Sequence, residues 1–166
     1  DMVWIKVRSE SNNHELYDSV RGTTERIYPD LDNAEDTNAA GLTAFGSDGF
    51  TVSTGHAVNK SSGTFVAWCW KAGTTSGIGG SPDLTPSGYS FNNTSKFSIV
   101  AYESDGTTGD TIPHGLGVVP HFFWVKCRSA AGTSWIIYHH KNTSAPETDY
   151  LHLDTNAATA DSNTRW

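Results

Sequence analysis

A chain of 166 residues is long enough to bury one hydrophobic core without disulfides or metal ions, and this length fits a single domain. The formal net charge is −7 and the 11 Lys and Arg residues are scattered, which argues against nucleic acid and anionic membranes as partners, because both attract clustered cations. No apolar run approaches the length of a membrane span, and two Cys are too few for a disulfide framework, so both thiols are predicted to be free.

The composition favours strands and turns over helices. The chain has 16 Gly together with six Trp, six Tyr and seven Phe, residues that suit pleated surfaces and tight turns. In chain order, short apolar or alternating runs predict strands at residues 3–7, 49–54, 64–71, 97–102, 122–127, 134–138 and 150–153. The prediction is therefore an all-β chain with few or no helices, arranged as an antiparallel β-sandwich.

Three segments between these strands have distinct features. Residues 65–70, FVAWCW, are apolar on both faces, which predicts a central strand covered on both sides of a sandwich. The stretch 33–40 is Ala-rich and begins at Asn33, a good N-cap, so it is the one place where a helical turn is expected. Residues 73–95 are rich in Gly, Ser, Thr and Pro without periodicity, which predicts a long loop.

The sequence also repeats itself. WIKVRS at 4–9 matches WVKCRS at 124–129, and HELYD at 14–18 aligns with WIIYH at 135–139, which predicts a repeat of about 120 residues. On this basis residues 1–72 form a first copy that lacks its N-terminal part, 73–95 form the long loop, and 96–166 hold one strand and the start of a second copy. We expect one compact β-sandwich cut from a longer array, with Cys127 buried because it takes the place of Val7.

The motifs WIKVRS, HELYDSVRG, FVAWCWKAG, IPHGLGVVP and LHLDTNAAT span nearly the whole chain. Together they resemble a repeat domain of large virion proteins of tailed phages, especially marine phages. The resemblance implies a concanavalin-like or jelly-roll sandwich in a tail fibre or similar appendage, located on the virion surface and hence extracellular. It also implies other virion proteins or copies of this chain as partners, and it brings no established ligand and no catalytic motif.

The function that follows is a non-enzymatic structural or adhesion module that binds host-surface glycans. The alternative is a carbohydrate-active enzyme, a glycoside hydrolase or lyase, because concanavalin-like folds also carry hydrolases that use two carboxyl groups. The nearest pairs are Glu15 with Asp18 and Glu103 with Asp105. The first pair lacks the even spacing that places two side chains on one strand face, and the second lies at a Ser-Asp-Gly turn. No enzyme is therefore predicted.

Candidate glycan ligands lie mainly in the long loop. Tyr89 and Phe91 are two residues apart, so an extended backbone presents both rings on one side, with Asn92 and Asn93 beside them as hydrogen-bonding groups. The alternative is that the two rings tuck into the sandwich as part of an extra edge strand. Trp135 takes the position of His14 in the repeat and is the second candidate for an exposed stacking platform, with the core as its alternative.

Calcium is the one candidate cofactor, and a short acidic segment is its candidate binding site. Asp30, Asp32 and Asp36 lie within one short segment, and lectin-like sandwiches bind Ca²⁺ through such loop carboxylates. The fixed spacing of a calcium-binding loop is missing, so a solvated acidic loop is the competing interpretation. His139 and His140 are adjacent on a predicted strand and therefore point to opposite faces, which argues against a shared metal ion.

Overall fold

A computed structural model describes the whole chain, residues 1–166, and confirms the all-β, antiparallel prediction. The strands are β1 (Met2–Val7), β2 (Glu15–Asp18), β3 (Gly22–Ile27), β4 (Asp36–Thr37), β5 (Leu42–Phe45), β6 (Phe50–Val52), β7 (Phe65–Trp70), β8 (Gly88–Asn92), β9 (Phe97–Ala101), β10 (Phe122–Val125), β11 (Ile136–His139), β12 (Asp149–His152) and β13 (Ala160–Asp161). One four-residue helix, α1 (His56–Asn59), follows β6. None of the helical structure has the length and apolar character of a membrane span.

The chain divides into two compact units, whereas the sequence led us to expect one sandwich. The first unit comprises Asp1–Arg26 and Asp36–Gly117, and the second comprises Ile27–Glu35 and Val118–Trp166. The longer segment of the second unit, Val118–Trp166, contains the repeated motif WVKCRS at 124–129. The jelly-roll or concanavalin-like connectivity stays a prediction.

A five-stranded sheet in the order β4-β3-β2-β1-β7 forms the frame of the first unit. Val3 and Ile5 alternate along β1 and join Tyr17 of β2, Leu42 of β5 and Val58 of α1 in one buried cluster. Because alternate strand residues share a face, the β5–β6 hairpin and α1 cover one face of this sheet. Further apolar residues packed against the cluster are Phe45, Phe50, Val52 and Phe65.

The prediction that residues 65–70 form a central strand was wrong. β7 pairs only with β1, with Val3 opposite Cys69 and Trp4 opposite Trp68, and it is the last strand of the sheet. Ala67 and Cys69 are exposed, and the Trp68 side chain is 44% exposed. An apolar pattern on both faces indicates a strand, but its place in the sheet depends on which distant segments pair with it.

Two other segments differ from their predictions. The stretch 33–40 contains no helix, because Arg26 of β3 binds Asp36 through two guanidinium–carboxylate contacts of 2.7 and 2.9 Å, and residues 36–37 pair with β3 as β4. The predicted loop 73–95 ends at residue 87, since 88–92 form β8 and pair with β9. The Tyr89 and Phe91 rings therefore lie on a strand, with centroids 6.1 Å apart.

The second unit contains a four-stranded sheet in the order β10-β11-β12-β13. Its first hairpin has the same strand register as the first hairpin of the chain. Trp4 pairs with Leu16 across β1 and β2, and Trp124 pairs with Ile137 across β10 and β11, as the offsets of the repeat require. Each Trp also makes an edge-to-face ring contact with the residue before the second strand, His14 at 5.6 Å and Trp135 at 6.0 Å. The sequence repeat is thus a structural repeat at the level of this hairpin.

The expectation that Cys127 is buried was wrong. Its position corresponds to Val7, but β10 ends at Val125, so Cys127 lies beyond the strand and is exposed. Its sulfur lies 3.7 Å from the Ser129 hydroxyl, and hydrogen bonding from Ser129 lowers the pKa of the Cys127 thiol. Cys69 is also exposed, and neither Cys forms a disulfide.

Candidate functional site

The first unit contains an open pocket of about 500 Å³. Phe91 and Asn93, from β8 and the turn that follows it, line this pocket together with two loop segments. The remaining lining residues are Gly77, Gly79, Gly80, Ser81, Pro82, Thr111, Ile112, Pro113, His114, Gly115 and Gly117. No Asp, Glu, Lys or Arg is among them, so the pocket is lined by neutral polar groups, backbone and apolar surface.

The HGLG turn at residues 114–117 forms one wall of the pocket. The backbone N–H of Leu116 donates to His114 Nδ1 at 3.1 Å, and the Lys96 ammonium donates to the Leu116 carbonyl oxygen at 3.0 Å. Gly115 has a φ of 69°, and a Cβ at this position would lie 2.8 Å from Cγ of Phe91. Glycine therefore allows both the left-handed backbone and the close approach to the Phe91 ring.

We expect Gly115→Ala to destabilise the first unit by about 2–4 kcal/mol, because the left-handed backbone costs about 1–2 kcal/mol and overpacking against Phe91 adds about 1–3 kcal/mol. Gly117→Ala is the matched control, since Gly117 has a φ of 66° but open space where its Cβ would lie. Only the backbone cost applies there. Thermal or urea unfolding measures both changes, and equal destabilisation by the two variants would contradict the role assigned to Phe91.

A second wall consists of the glycine-rich segment 77–82. Gly77 and Gly80 have φ values of 71° and 103°, which few other residues adopt. The Ile78 N–H donates to the Tyr89 hydroxyl at 3.4 Å, which ties this segment to β8. Asp83 accepts hydrogen bonds from the Thr111 hydroxyl at 2.7 Å and the Thr111 N–H at 3.0 Å, and these bonds lower the pKa of Asp83. The Asp83–Thr111 pair thus links the two walls.

The structure separates the four predicted ligands of the 73–95 segment. Phe91 and Asn93 line the pocket, whereas Tyr89 braces its wall through the hydroxyl. Asn92 supports the β8–β9 turn, because its Oδ1 accepts two backbone N–H groups at 2.9 and 3.1 Å. In the orientation that satisfies its hydrogen bonds, the Asn93 amide nitrogen donates to carbonyl oxygens of the HGLG turn.

The structure contradicts an exposed aromatic platform at Phe91 and, at Trp135, confirms the alternative of burial in the core. Phe91 is only 5% exposed because the HGLG turn packs against its ring, so it offers no open ring face to a ligand. Trp135 is 2% exposed and lies in the second unit, where its indole N–H donates to the Tyr28 carbonyl oxygen at 2.8 Å. Trp135 belongs to the core of that unit, which is the alternative given above.

Sequence reasoning missed Thr111 and His114 as pocket residues. The HGLGVVP stretch is typical of a turn that leads into a strand. No neighbouring sequence feature indicates that it packs beside Asn93. The signal in the sequence is a His followed by two glycines at positions 115 and 117, because such spacing favours a turn with exposed backbone groups. Since His114 Nδ1 accepts the Leu116 N–H, Nε2 is the nitrogen that carries the proton and is able to donate to a ligand.

The first pair of acidic candidates is built into the first unit. Glu15 is 2% exposed, and its two carboxylate oxygens accept the Tyr17 hydroxyl at 2.6 Å and the Arg26 guanidinium at 2.7 Å. Burial, followed by the hydrogen bond to Glu15, raises the pKa of Tyr17. Asp18 is 4% exposed and binds Arg21 at 2.5 Å. These carboxylates hold the fold together and do not line the pocket.

The second pair, Glu103 and Asp105, is exposed. Asp105 accepts the Thr107 N–H at 2.8 Å, and hydrogen bonds from Thr107 lower the pKa of Asp105. Neither residue lines the pocket.

The acidic segment considered for calcium does not assemble into a metal site. Asp36 is occupied by Arg26, and it lies in the first unit, while Asp30 and Asp32 lie in the second. The Asp32 carbonyl oxygen accepts the Gly132 N–H at 3.0 Å and the Lys126 ammonium at 3.3 Å. No group of three or more His, Cys, Asp or Glu side chains in the chain is placed to hold a metal ion.

Comparison with curated proteins and with solved structures finds no match to this chain. A family model does match, and it covers residues 1–166, the pocket and both repeated hairpins included. Its description is that of a domain of unknown function, DUF7483. The chain therefore belongs to the DUF7483 family.

Proposed function

We propose that this chain is a non-enzymatic adhesion module that binds neutral sugars of host-surface glycans in the pocket of its first unit. The observation that carries the proposal is the lining, which joins Phe91 and Asn93 with Thr111 and His114 and includes no charged side chain. The proposed location is an appendage of a phage virion. It is supported by the resemblance of the sequence motifs to tailed-phage virion proteins and by the repeated hairpin.

The chemistry of the lining suits a carbohydrate. A sugar ring presents hydroxyl groups that donate and accept hydrogen bonds, together with apolar C–H edges. The His114 imidazole offers a polar group, while the glycines of the 77–80 segment leave backbone N–H and C=O groups uncovered by side chains. Without a cation in the lining, an anionic sugar gains no charge pairing, so neutral sugars are favoured.

Binding without hydrolysis follows from the same lining. Glycoside hydrolases use two carboxyl groups on either side of the scissile bond. The pocket has no Asp or Glu, and Glu15 and Asp18 are committed to Tyr17, Arg26 and Arg21. This supports an adhesion role over the carbohydrate-active alternative.

The test compares His114→Asn with His56→Asn by glycan array and by ligand-detected NMR. Asn at 114 keeps an acceptor for the Leu116 N–H, as Asn does in turns, but removes the Nε2 donor of the imidazole. We expect a rise in Kd of about 3- to 10-fold, the effect of one lost hydrogen bond. His56 is exposed in α1 and does not line the pocket, so its variant should bind like the parent chain.

Two results would contradict the proposal. One is a His114→Asn variant that binds the identified glycan as tightly as the parent chain. The other is the release of reducing ends from the bound glycan, which would favour the enzyme.

A further inference from the structure

Each of the two main sheets has one short outer strand and one long one. β4 and β13 contain two residues each, which leaves little backbone for another strand to pair with. β7 and β10, at the other ends of their sheets, contain six and four residues. We refer to the unpaired sides of β7 and β10 as the open edges.

The open edge of β7 carries none of the usual protection. Natural proteins guard such edges with Lys, Pro or bulges, since an unprotected edge pairs with other chains. β7 reads FVAWCW, with no charge and no Pro, and Ala67 and Cys69 are exposed. The side chain of Trp68 is 44% exposed. Burying it against another strand would remove a large apolar surface from water.

The open edge of β10 is also apolar. The strand reads FFWV, and Phe122 is 47% exposed. β10 corresponds to β1 by sequence and by the register of its hairpin, yet β1 has β7 on this side and β10 has no strand there. Since the equivalent side of β1 accepts a strand with the sequence FVAWCW, the same kind of strand fits beside β10.

We propose that β7 of one copy of this chain pairs with β10 of a second copy. The contact extends the five-stranded sheet of one molecule with the four-stranded sheet of the next, and it covers Trp68 and Phe122 in one step. Neither strand holds a charged residue, so no ion is desolvated when they pair. Because the two edges differ, the contact is head-to-tail, and each molecule has one edge of each kind for its neighbours. We assign a second copy as the partner because its β7 edge is uncharged and apolar, like the β10 edge that it would cover.

Two variants test the proposal by complementation. Ala67→Lys places a charge on the β7 edge, and Phe122→Lys places one on the β10 edge. Circular dichroism should stay unchanged in both variants, and only Phe122→Lys should lower the melting temperature slightly, because it loses ring contacts with Trp124 and His139. In sedimentation velocity experiments the parent chain should gain mass with concentration, and each variant alone should stay monomeric. An equimolar mixture of the two variants should form a one-to-one dimer and no larger species, since only one open pair of edges remains.

Ala44→Lys is the matched control, because Ala44 is an exposed Ala in β5, which belongs to neither open edge, and its variant should associate like the parent. Hydrogen exchange of the parent chain gives a measurement that needs no variant. Amides of 65–70 and 122–125 should both gain protection at high concentration. The proposal is overturned by a parent chain that stays monomeric, by self-association of either Lys variant alone, by an Ala44→Lys effect equal to that of Ala67→Lys, or by protection confined to one of the two strands.

Discussion

Glu15→Ala is expected to lower the free energy of unfolding of the first unit by about 3 kcal/mol, the usual cost of removing one partner from a buried ion pair. The Tyr17 hydroxyl would lose its short bond to the carboxylate, and the Arg26 guanidinium would lose one of its carboxylate partners. Tyr17 is fully buried, so water cannot replace the missing acceptor. Urea unfolding followed by hydrogen exchange of β1 and β2 amides measures the change in this unit.

Glu10→Ala is the control for the loss of a carboxylate. Glu10 pairs with Lys60 at a partly exposed position, where an ion pair contributes about 1 kcal/mol at most. Glu15→Gln should fall between the two variants, because it keeps the volume and one acceptor but loses the charge. A Glu15→Ala chain as stable as the Glu10→Ala chain would show that the buried network contributes no stability.

Trp135→Ala is expected to destabilise the second unit by about 3–5 kcal/mol, as truncation of a buried Trp does in protein cores. The change removes the edge-to-face contact with Trp124 and leaves the Tyr28 carbonyl oxygen without the indole donor. Trp135→Phe should recover most of the packing but not the hydrogen bond, and therefore part of the stability. Hydrogen exchange of β10 and β11 amides reports this unit, while β1 and β2 should be protected as in the parent chain.

Trp68→Ala provides the comparison for a Trp on the surface. Trp68 is 44% exposed at the outer strand of its sheet, so its replacement should cost much less than that of Trp135. The reverse outcome, loss of glycan binding in Trp135→Ala with unchanged stability, would restore Trp135 as an exposed platform.

Local patterns in the sequence were enough to predict three of the four strands in the repeated hairpins. Apolar or alternating runs identified β1, β10 and β11, and the repeat aligned residues 14–18, which form β2, with 135–139. The polar strand β3, GTTERI, was missed because its pattern is not apolar on either face. β2 was not predicted as a strand, since the burial of Glu15 and Asp18 depends on Arg26 and Arg21.

The candidate site could be predicted only in part, because its geometry joins segments that are distant in sequence. The sequence indicated the segment with Phe91 and Asn93, but Gly115 decides how much of the Phe91 ring is exposed. Trp135 is buried by a contact with Tyr28, which is 107 positions away. Spacing along one strand predicts which side chains share a face, and it does not predict what covers that face.

The matched registers of the two hairpins also bear on how the chain folds. β1 has the register to accept β11, and β10 has the register to accept β2, so a swapped pairing satisfies the same backbone hydrogen bonds. The native turns contain seven residues (8–14) and ten residues (126–135), whereas either swapped pairing closes a loop of more than one hundred residues. Loop closure then costs about 2 kcal/mol more for the swapped pairs, so the native hairpins form first. The fidelity of folding in this chain therefore depends on the length of two turns, and lengthening either with Gly and Ser would increase misfolding.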